Sequence, residues 1–342
     1  MKNKIKYIAF FILIVGIFFS WNIFGPTISA PKEKYFLLKT ESNFSEVKES
    51  LIEKGIIKST IFFDLLTTLI KYPEHIKPGR YEIADNSSLF KLVRMLNAGQ
   101  QSPVRFVITK LRTKEDFASK IASNFEIDSL TAIQFLLSND SLANYQLDTN
   151  TVMSIIIPNS YFFWWNSSMQ KIMSRLKTQH DYFWEGRRME SAKKLGLNEL
   201  QVYIIGSIIE EETNAESDKG KIASVYINRL NKGMKLEADP TVKYAMRNFS
   251  LTRIMHEHLK YLSPYNTYQI TGLPPGPICT PSISTIDAVL ESPKTDYIFF
   301  VAKPDFSGYS NFSNNYSKHL ENAKLYQKAL DTYLSKTENS NR

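Results

Sequence analysis

The sequence predicts an α+β protein: an N-terminal transmembrane helix, a small α+β module, then a mainly helical region with a few strands. Three observations predict it. An uncharged run, "YIAFFILIVGIFFSWNIF", fills Tyr7–Phe24. Short strand patterns then alternate with helical ones between Tyr35 and Thr109. Beyond Leu111 apolar residues recur mostly at helical spacing, up to a strand pattern in "YIFFVA". Of the 342 residues, 43% are hydrophobic and 22% charged, a balance that buries a core and excludes a disordered chain, the polar tail 336–342 apart.

Taking the elements in order, the eighteen residues Tyr7–Phe24 fall within the roughly 17–25 that span a bilayer as a helix. Lys2, Lys4 and Lys6 precede them, which keeps residues 1–6 in the cytoplasm and sends the rest of the chain outside. A cleaved signal peptide is the competing reading. Its best site, after Ala30, has Ile28 where a small residue is wanted and Pro31 behind it, which favours a retained anchor. After the spacer "GPTISAPKEK", "YFLLKT" predicts a strand. "NFSEVKESLIEKGII" predicts a helix through Phe44, Val47, Leu51 and Ile56, capped by Asn43 or Ser45. "STIFFDLLTTLIKY" predicts a second helix ended by Pro73, and "KPGRYEI" turns at Pro78-Gly79 into a strand. "SSLFKLVRMLNAG" is a helix with Gly99 at its C-terminal cap, and "VRFVIT" returns as a strand. This unit, 35–109, has the size and element order of a LysM-like module, a type associated with cell-wall glycan.

Residues 110–160 read as a helical connector, with start signals in "TKEDFASKIASNF" and "DSLTAIQFLLSN". An aromatic loop, "IPNSYFFWWNSS", suits either a sugar platform or a buried junction. A third domain, 161–335, contains the most informative segment, "IIEEETNAESDKGKIASVYINRL", Ile208–Leu230. Asn198 caps a helix from near Glu199 to about Thr213. At about 100° per residue, Val202, Ile204, Ile205, Ile208 and Ile209 share one broad face. Glu212 falls near the middle of that face, Glu211 on its flank, and Glu210 on the opposite, solvated side. A carboxyl on an apolar face is costly to ionise, so the pKa of Glu212 should rise, which suits a general acid. The alternative is that the helix has left the core there and Glu212 meets water or an arginine such as Arg229.

A second amphipathic helix follows in "SDKGKIASVYINRLNKGM", capped by Ser217 or Asp218 and stopped by Gly233. Ile222, Val225, Tyr226 and Leu230 form its packing stripe, with Asn228 and Arg229 as polar candidates. In "LEADPTVKYA" the Asp239-Pro240 step breaks the chain direction and leaves Asp239 near a loop mouth. "SPYNTYQITGLPPGPI" suits hydrogen bonding to a sugar or a tight structural turn. No phosphate-binding glycine loop, nucleophile elbow or HExxH zinc motif occurs. His256 and His258 read as a solvated loop rather than a metal site. Cys279, the single cysteine, forms no internal disulfide and reads as a small buried residue. The net charge of +8 suits an anionic surface, but no dense Lys/Arg run points to nucleic acid.

On these residues the chain resembles the endolytic murein transglycosylases, the YceG-like family. The specific stretches are "SIIEEET", "ASVYINRL", "ADPTVKYA", "YNTY" and "TGLPPGPI", in that order, and "IKPGRYEI" agrees with the family's LysM-like region. The resemblance implies a lysozyme-like catalytic core and makes Glu212, immediately before the motif's threonine, the catalytic residue. It implies a lyase without a cofactor or metal, cutting the β-1,4 bond between N-acetylmuramic acid and N-acetylglucosamine within peptidoglycan strands and leaving 1,6-anhydro ends. Asn228, Asp239, Tyr265, Asn266 and Thr267 match family positions and are the candidate sugar contacts. Peptidoglycan synthases and the cytoplasmic (inner) membrane are the implied partners. The sequence departs from the family at Ser310 and Asn311, before Phe312, where relatives often carry a histidine; His319 fits the later one. Two other readings remain: a glycan-binding scaffold without chemistry, and a muramidase in which Asp239 activates water.

Overall fold

The computed structural model describes residues 2–340. The chain forms two compact units, each assembled from separate stretches. The first takes the residues up to Phe106, Ile121–Asp128 and Tyr161–Ser168; the second takes Val107–Lys120, Ser129–Ser160 and the chain from Met169 onward. Residues 110–160, expected as a connector, divide between the two.

The first unit begins with α1 (Lys2–Phe24), which from Lys4 onward is long and apolar enough to cross a membrane. β1 (Tyr35–Leu38) and β2 (Gly79–Glu82) pair antiparallel, Tyr35 opposite Glu82 and Leu38 opposite Gly79. α2 (Phe44–Glu53) and α3 (Ile61–Leu69) lie between them in sequence, and α4 (Leu89–Ala98) follows β2. Asn43 starts α2: its side-chain oxygen accepts the Glu46 amide at 3.1 Å while the Glu46 carboxylate accepts the Asn43 amide at 3.1 Å. Gly99 ends α4 in the left-handed conformation, φ 67°. α3 stops at Leu69, earlier than Pro73, because Lys71 turns left-handed (φ 54°) and drives Tyr72 into the core beside Phe44.

β3 (Val104–Val107) leaves β1 and β2 and pairs with β4 (Ser160–Phe163), a strand inside the aromatic segment expected to be a loop. The period of two then sorts that segment. Tyr161, Phe163 and Trp165 are buried, whereas Phe162 and Trp164 are 63% and 50% exposed. Phe106, Phe125 and Phe163 meet edge to face with centroids 5.0–6.1 Å apart. The Glu126 carboxylate accepts both the amide and the hydroxyl of Thr40, each at 2.6 Å, and its own amide donates to the Trp165 carbonyl. These contacts sew three separate stretches into one core.

The second unit contains α5 (Lys114–Ala122) up to Lys120, α6 (Ser129–Leu136), α7 (Asn139–Ala143), α8 (Met169–Trp184), α9 (Arg187–Lys194) and α10 (Glu199–Glu212). α11 (Glu216–Asn231), α12 (Asp239–Ala245) and α13 (Ile283–Leu290) follow. β5 (Phe299–Ala302) pairs antiparallel with β6 (Ser310–Ser313), and α14 (Tyr316–Ser340) ends the described chain. The polar tail, 336–342, lies partly within α14, with Asn341 and Arg342 outside the described residues. α10 is the axis of this unit. Every residue from Val202 to Ile209 is buried, with α9, α11, α12 and α13 packed around it. Cys279 is buried as expected, its thiol donating to the Ser207 carbonyl at 3.3 Å. Gly276 is required by close approach: a Cβ there would fall 2.0 Å from the Asn150 carbonyl oxygen. α11 starts at Glu216 with Ala215 at its N-cap, so neither Ser217 nor Asp218 caps it. Asp218 is instead buried and accepts the Ser310 amide at 2.6 Å.

Candidate active site

α10 starts where the sequence predicts, with the Asn198 side chain accepting the Gln201 amide and Gln201 returning the bond. It ends at Glu212 because Thr213 swings into extended backbone, φ −149° and ψ 145°. The three consecutive glutamates therefore sit on the last turn of a helix enclosed on all sides, and each finds a different partner. Glu210 is not solvated, contrary to expectation. Its carboxylate accepts the Ser282 amide and hydroxyl and the Thr285 hydroxyl, at the start of α13, and lies 3.9 Å from the buried Lys219 ammonium. The reason is the packing of α13 against α10, which leaves no wet face. Glu211 takes the Arg112 guanidinium in a two-point pair, 3.0 and 2.9 Å, and the Lys110 ammonium at 3.1 Å.

Glu212, alone of the three, has no cation in contact among the described residues. α11 runs back along α10 after a short turn and brings the Tyr226 hydroxyl to donate to its Oε1 at 2.9 Å. Glu212 is half-buried as a residue, yet its carboxyl is set amid protein, and this desolvation pushes its pKa from an ordinary 4.5 up to about 7. The Tyr226 hydrogen bond opposes the rise, the charge of Asp239 adds to it and that of Lys243 opposes it. A position at the C-terminal end of a helix disfavours the carboxylate further. Tyr226 is held far above its ordinary range, chiefly by burial and then by Glu212, so it stays a donor. Arg229 is not the partner of Glu212. Its guanidinium is spent on the Ile298, Lys235 and Leu236 carbonyls and on Glu237.

The other sequence candidates differ in exposure and in partners. Asp239 is exposed at the first position of α12 and accepts the Tyr268 hydroxyl at 2.7 Å. Its negative charge adds to the rise in the Glu212 pKa. Asn266 and Thr267 are fully buried behind it. The Asn266 amide donates to the Leu259 and Tyr261 carbonyls and its oxygen accepts the Tyr268 amide; the Thr267 hydroxyl accepts the Ala238 amide at 2.9 Å. They fix the loop that carries Tyr268 to the start of α12. Asn228 uses both amide hydrogens on the Thr295 and Tyr297 carbonyls. Tyr265 packs on Tyr244 at 4.8 Å, its hydroxyl near Asn150 and Gly276.

Tyr226 and Tyr268, which touch the two carboxylates, were not among the candidate contacts. Tyr226 reads from sequence as part of a packing stripe, and it is that too, 1% exposed among the core of α10 and α11. A tyrosine on a buried stripe must satisfy its hydroxyl, which is the signal that a polar group lies opposite. His319 stacks on Phe299 at 4.9 Å, and burial, followed by Arg229, lowers its pKa. Among the described residues no three of His, Cys, Asp and Glu gather to hold a metal.

Comparison with known proteins gives the family of the chain. An endolytic murein transglycosylase of Bacillus subtilis (strain 168) is 41% identical over 143 residues, 42% of this chain and 37% of that protein. One from Streptococcus pneumoniae serotype 2 (strain D39 / NCTC 7466) is 35% identical over 135 residues, 38% of this chain and 24% of that protein. The matched region thus spans well under half the length of either relative. The crystal structure of a putative yceG-like protein from Listeria monocytogenes shares 25% identity, with a TM-score of 0.55 over 84% of this chain and 98% of that one. The model of the YceG-like family matches residues 36–325, from β1 into α14, and the chain belongs to that family.

Proposed function

We propose that this chain is a membrane-anchored endolytic lytic transglycosylase acting on peptidoglycan glycan strands. The observation that carries the reading is the state of Glu212: a carboxyl with a pKa of about 7, partnered by a tyrosine hydroxyl and, among the described residues, by no contacting cation. Such a group holds a proton near neutrality and can also give it up. In the proposed reaction Glu212 protonates the glycosidic oxygen as the bond to C1 of N-acetylmuramic acid breaks. The resulting carboxylate takes the proton from the C6 hydroxyl of the same sugar, whose oxygen closes on C1. The products are a 1,6-anhydro end and a free 4-hydroxyl, Glu212 is again protonated, and no water is consumed. The nucleophile is already attached to the reacting sugar, so one carboxyl suffices where a hydrolase would use two.

Support for anchoring comes from α1, whose apolar run follows lysines that stay on the cytoplasmic side. Held there, the enzyme meets strands as they are extruded, close to the synthases that make them, and its cuts set where elongation stops. The deciding experiment is mass spectrometry of products from uncross-linked strands, using the native protein and Glu212→Gln. Anhydro ends from the native protein and none from the variant support the lyase. Ordinary reducing ends mean a hydrolase and make Asp239 the next residue to test, and binding without cleavage by either form leaves a scaffold.

A further inference from the structure

The apolar surface of the first unit does not end with α1. Phe62 of α3 meets Phe18 and Phe19 of α1, ring centroids 5.8 and 5.2 Å apart, and Phe90 of α4 meets Phe24 at 5.4 Å. Phe18 and Phe19 lie well inside the run that ends at Phe24. At 1.5 Å per residue they sit about 8 Å along α1 from that end. A helix that touches them from the folded side is thus set below the level at which α1 leaves its apolar stretch.

α3 has the surface for such a position. Ile61, Leu65 and Leu69 are 71%, 51% and 79% exposed. Spaced four residues apart, they fall within an arc of about 80°. Phe62, which reaches α1, borders that arc, while Phe63 and Thr67 face the opposite way into the core. The one charged residue of the helix, Asp64, lies off the stripe and pairs with Lys48 at 3.1 Å. Lys58 before the helix and Lys71 after it are exposed. A helix lying in a membrane interface buries its apolar face about 5–10 Å into the lipid, the depth that contact with Phe18 and Phe19 imposes.

We propose that α3 lies in the leaflet on the folded side of the membrane, with Ile61, Leu65 and Leu69 in the lipid and Lys58 and Lys71 at the phosphate level. Its occupant is bilayer lipid, and α1 and α3 form one two-part anchor that fixes how the first unit sits on the membrane. The proposal rests on the anchored reading of α1, and the test separates the two. Single cysteines at Phe11, Leu65 and Leu69 are introduced into the full chain; the native Cys279 is buried and stays unlabelled. Each is labelled with an environment-sensitive fluorophore in vesicles of phosphatidylethanolamine and phosphatidylglycerol, then quenched with brominated lipid or with aqueous iodide.

The expected result is several-fold stronger quenching by brominated lipid than by iodide at all three sites, shallower at 65 and 69 than at 11. Lipid quenching at 11 with iodide quenching at 65 and 69 overturns the proposal and leaves the anchor standing. Iodide quenching at all three removes the anchor and the proposal together. Labels at 65 and 69 shielded from both quenchers mean that a second copy or another protein covers α3, which overturns the lipid assignment.

Discussion

In the proposed reaction Glu212 donates a proton only while it holds one, so its pKa of about 7 should set the alkaline limb of the activity profile. kcat should fall about tenfold per pH unit above that limb. Tyr226→Phe removes a hydrogen bond that favours the carboxylate and should move the limb to higher pH. Asp239→Asn removes a repelling charge and should move it lower. Profiles of kcat against pH for the three proteins check both signs, and equal limbs would disprove the assignment. Stability follows the same shift. With the folded pKa raised from 4.5 to about 7, the native state is penalised for ionisation: nothing is lost below about 4.5, and the loss is complete above about 7. Thermal melts should therefore show Glu212→Gln gaining on the native protein between these pH values and holding the gain beyond.

At the scale of one helix, α10 explains why three identical letters have three fates. Glu210→Ala leaves the Ser282 and Thr285 donors at the start of α13 without their acceptor, a loss of about 1–3 kcal/mol. Glu211→Ala frees Arg112 and Lys110, which are about 40% exposed and can return to water, so about 1 kcal/mol or less is expected. Urea midpoints should rank the variants in that order, and a larger loss at Glu211 would contradict it. The ends of this helix were legible in the sequence, because Asn198 and its Gln201 partner act locally. The raised pKa of Glu212 was legible through its spacing from Ile205 and Ile208. Glu210 was not: periodicity assumes one wet face, and α10 has none. Nor can residue type separate an Asn that binds sugar from one that closes a loop, and Asn266 has all its side-chain bonds turned inward. β4 was hidden because five aromatics and polar neighbours read as a loop until β3 supplies a partner strand.

Over the whole molecule, the least legible feature was the path of the chain between its units. Local signals placed α2, β2 and α4 well, but the first unit also needs Phe125, Glu126 and Phe163 from far downstream. A fragment that ends at residue 109 lacks all three, leaving Phe106 uncovered and Thr40 without its carboxylate. Heat denaturation of that fragment should show no cooperative transition, whereas a sharp one would mean that residues up to Phe106 suffice. The interleaving also sets an order of events in time. The stretch that leaves the ribosome first belongs to a unit whose last piece, Tyr161–Ser168, emerges only after two pieces of the other unit, Val107–Lys120 and Ser129–Ser160, have been made. For that interval the newborn chain carries an unfinished, aromatic-rich surface, so its survival depends on what shelters it during synthesis as much as on the stability of the finished fold.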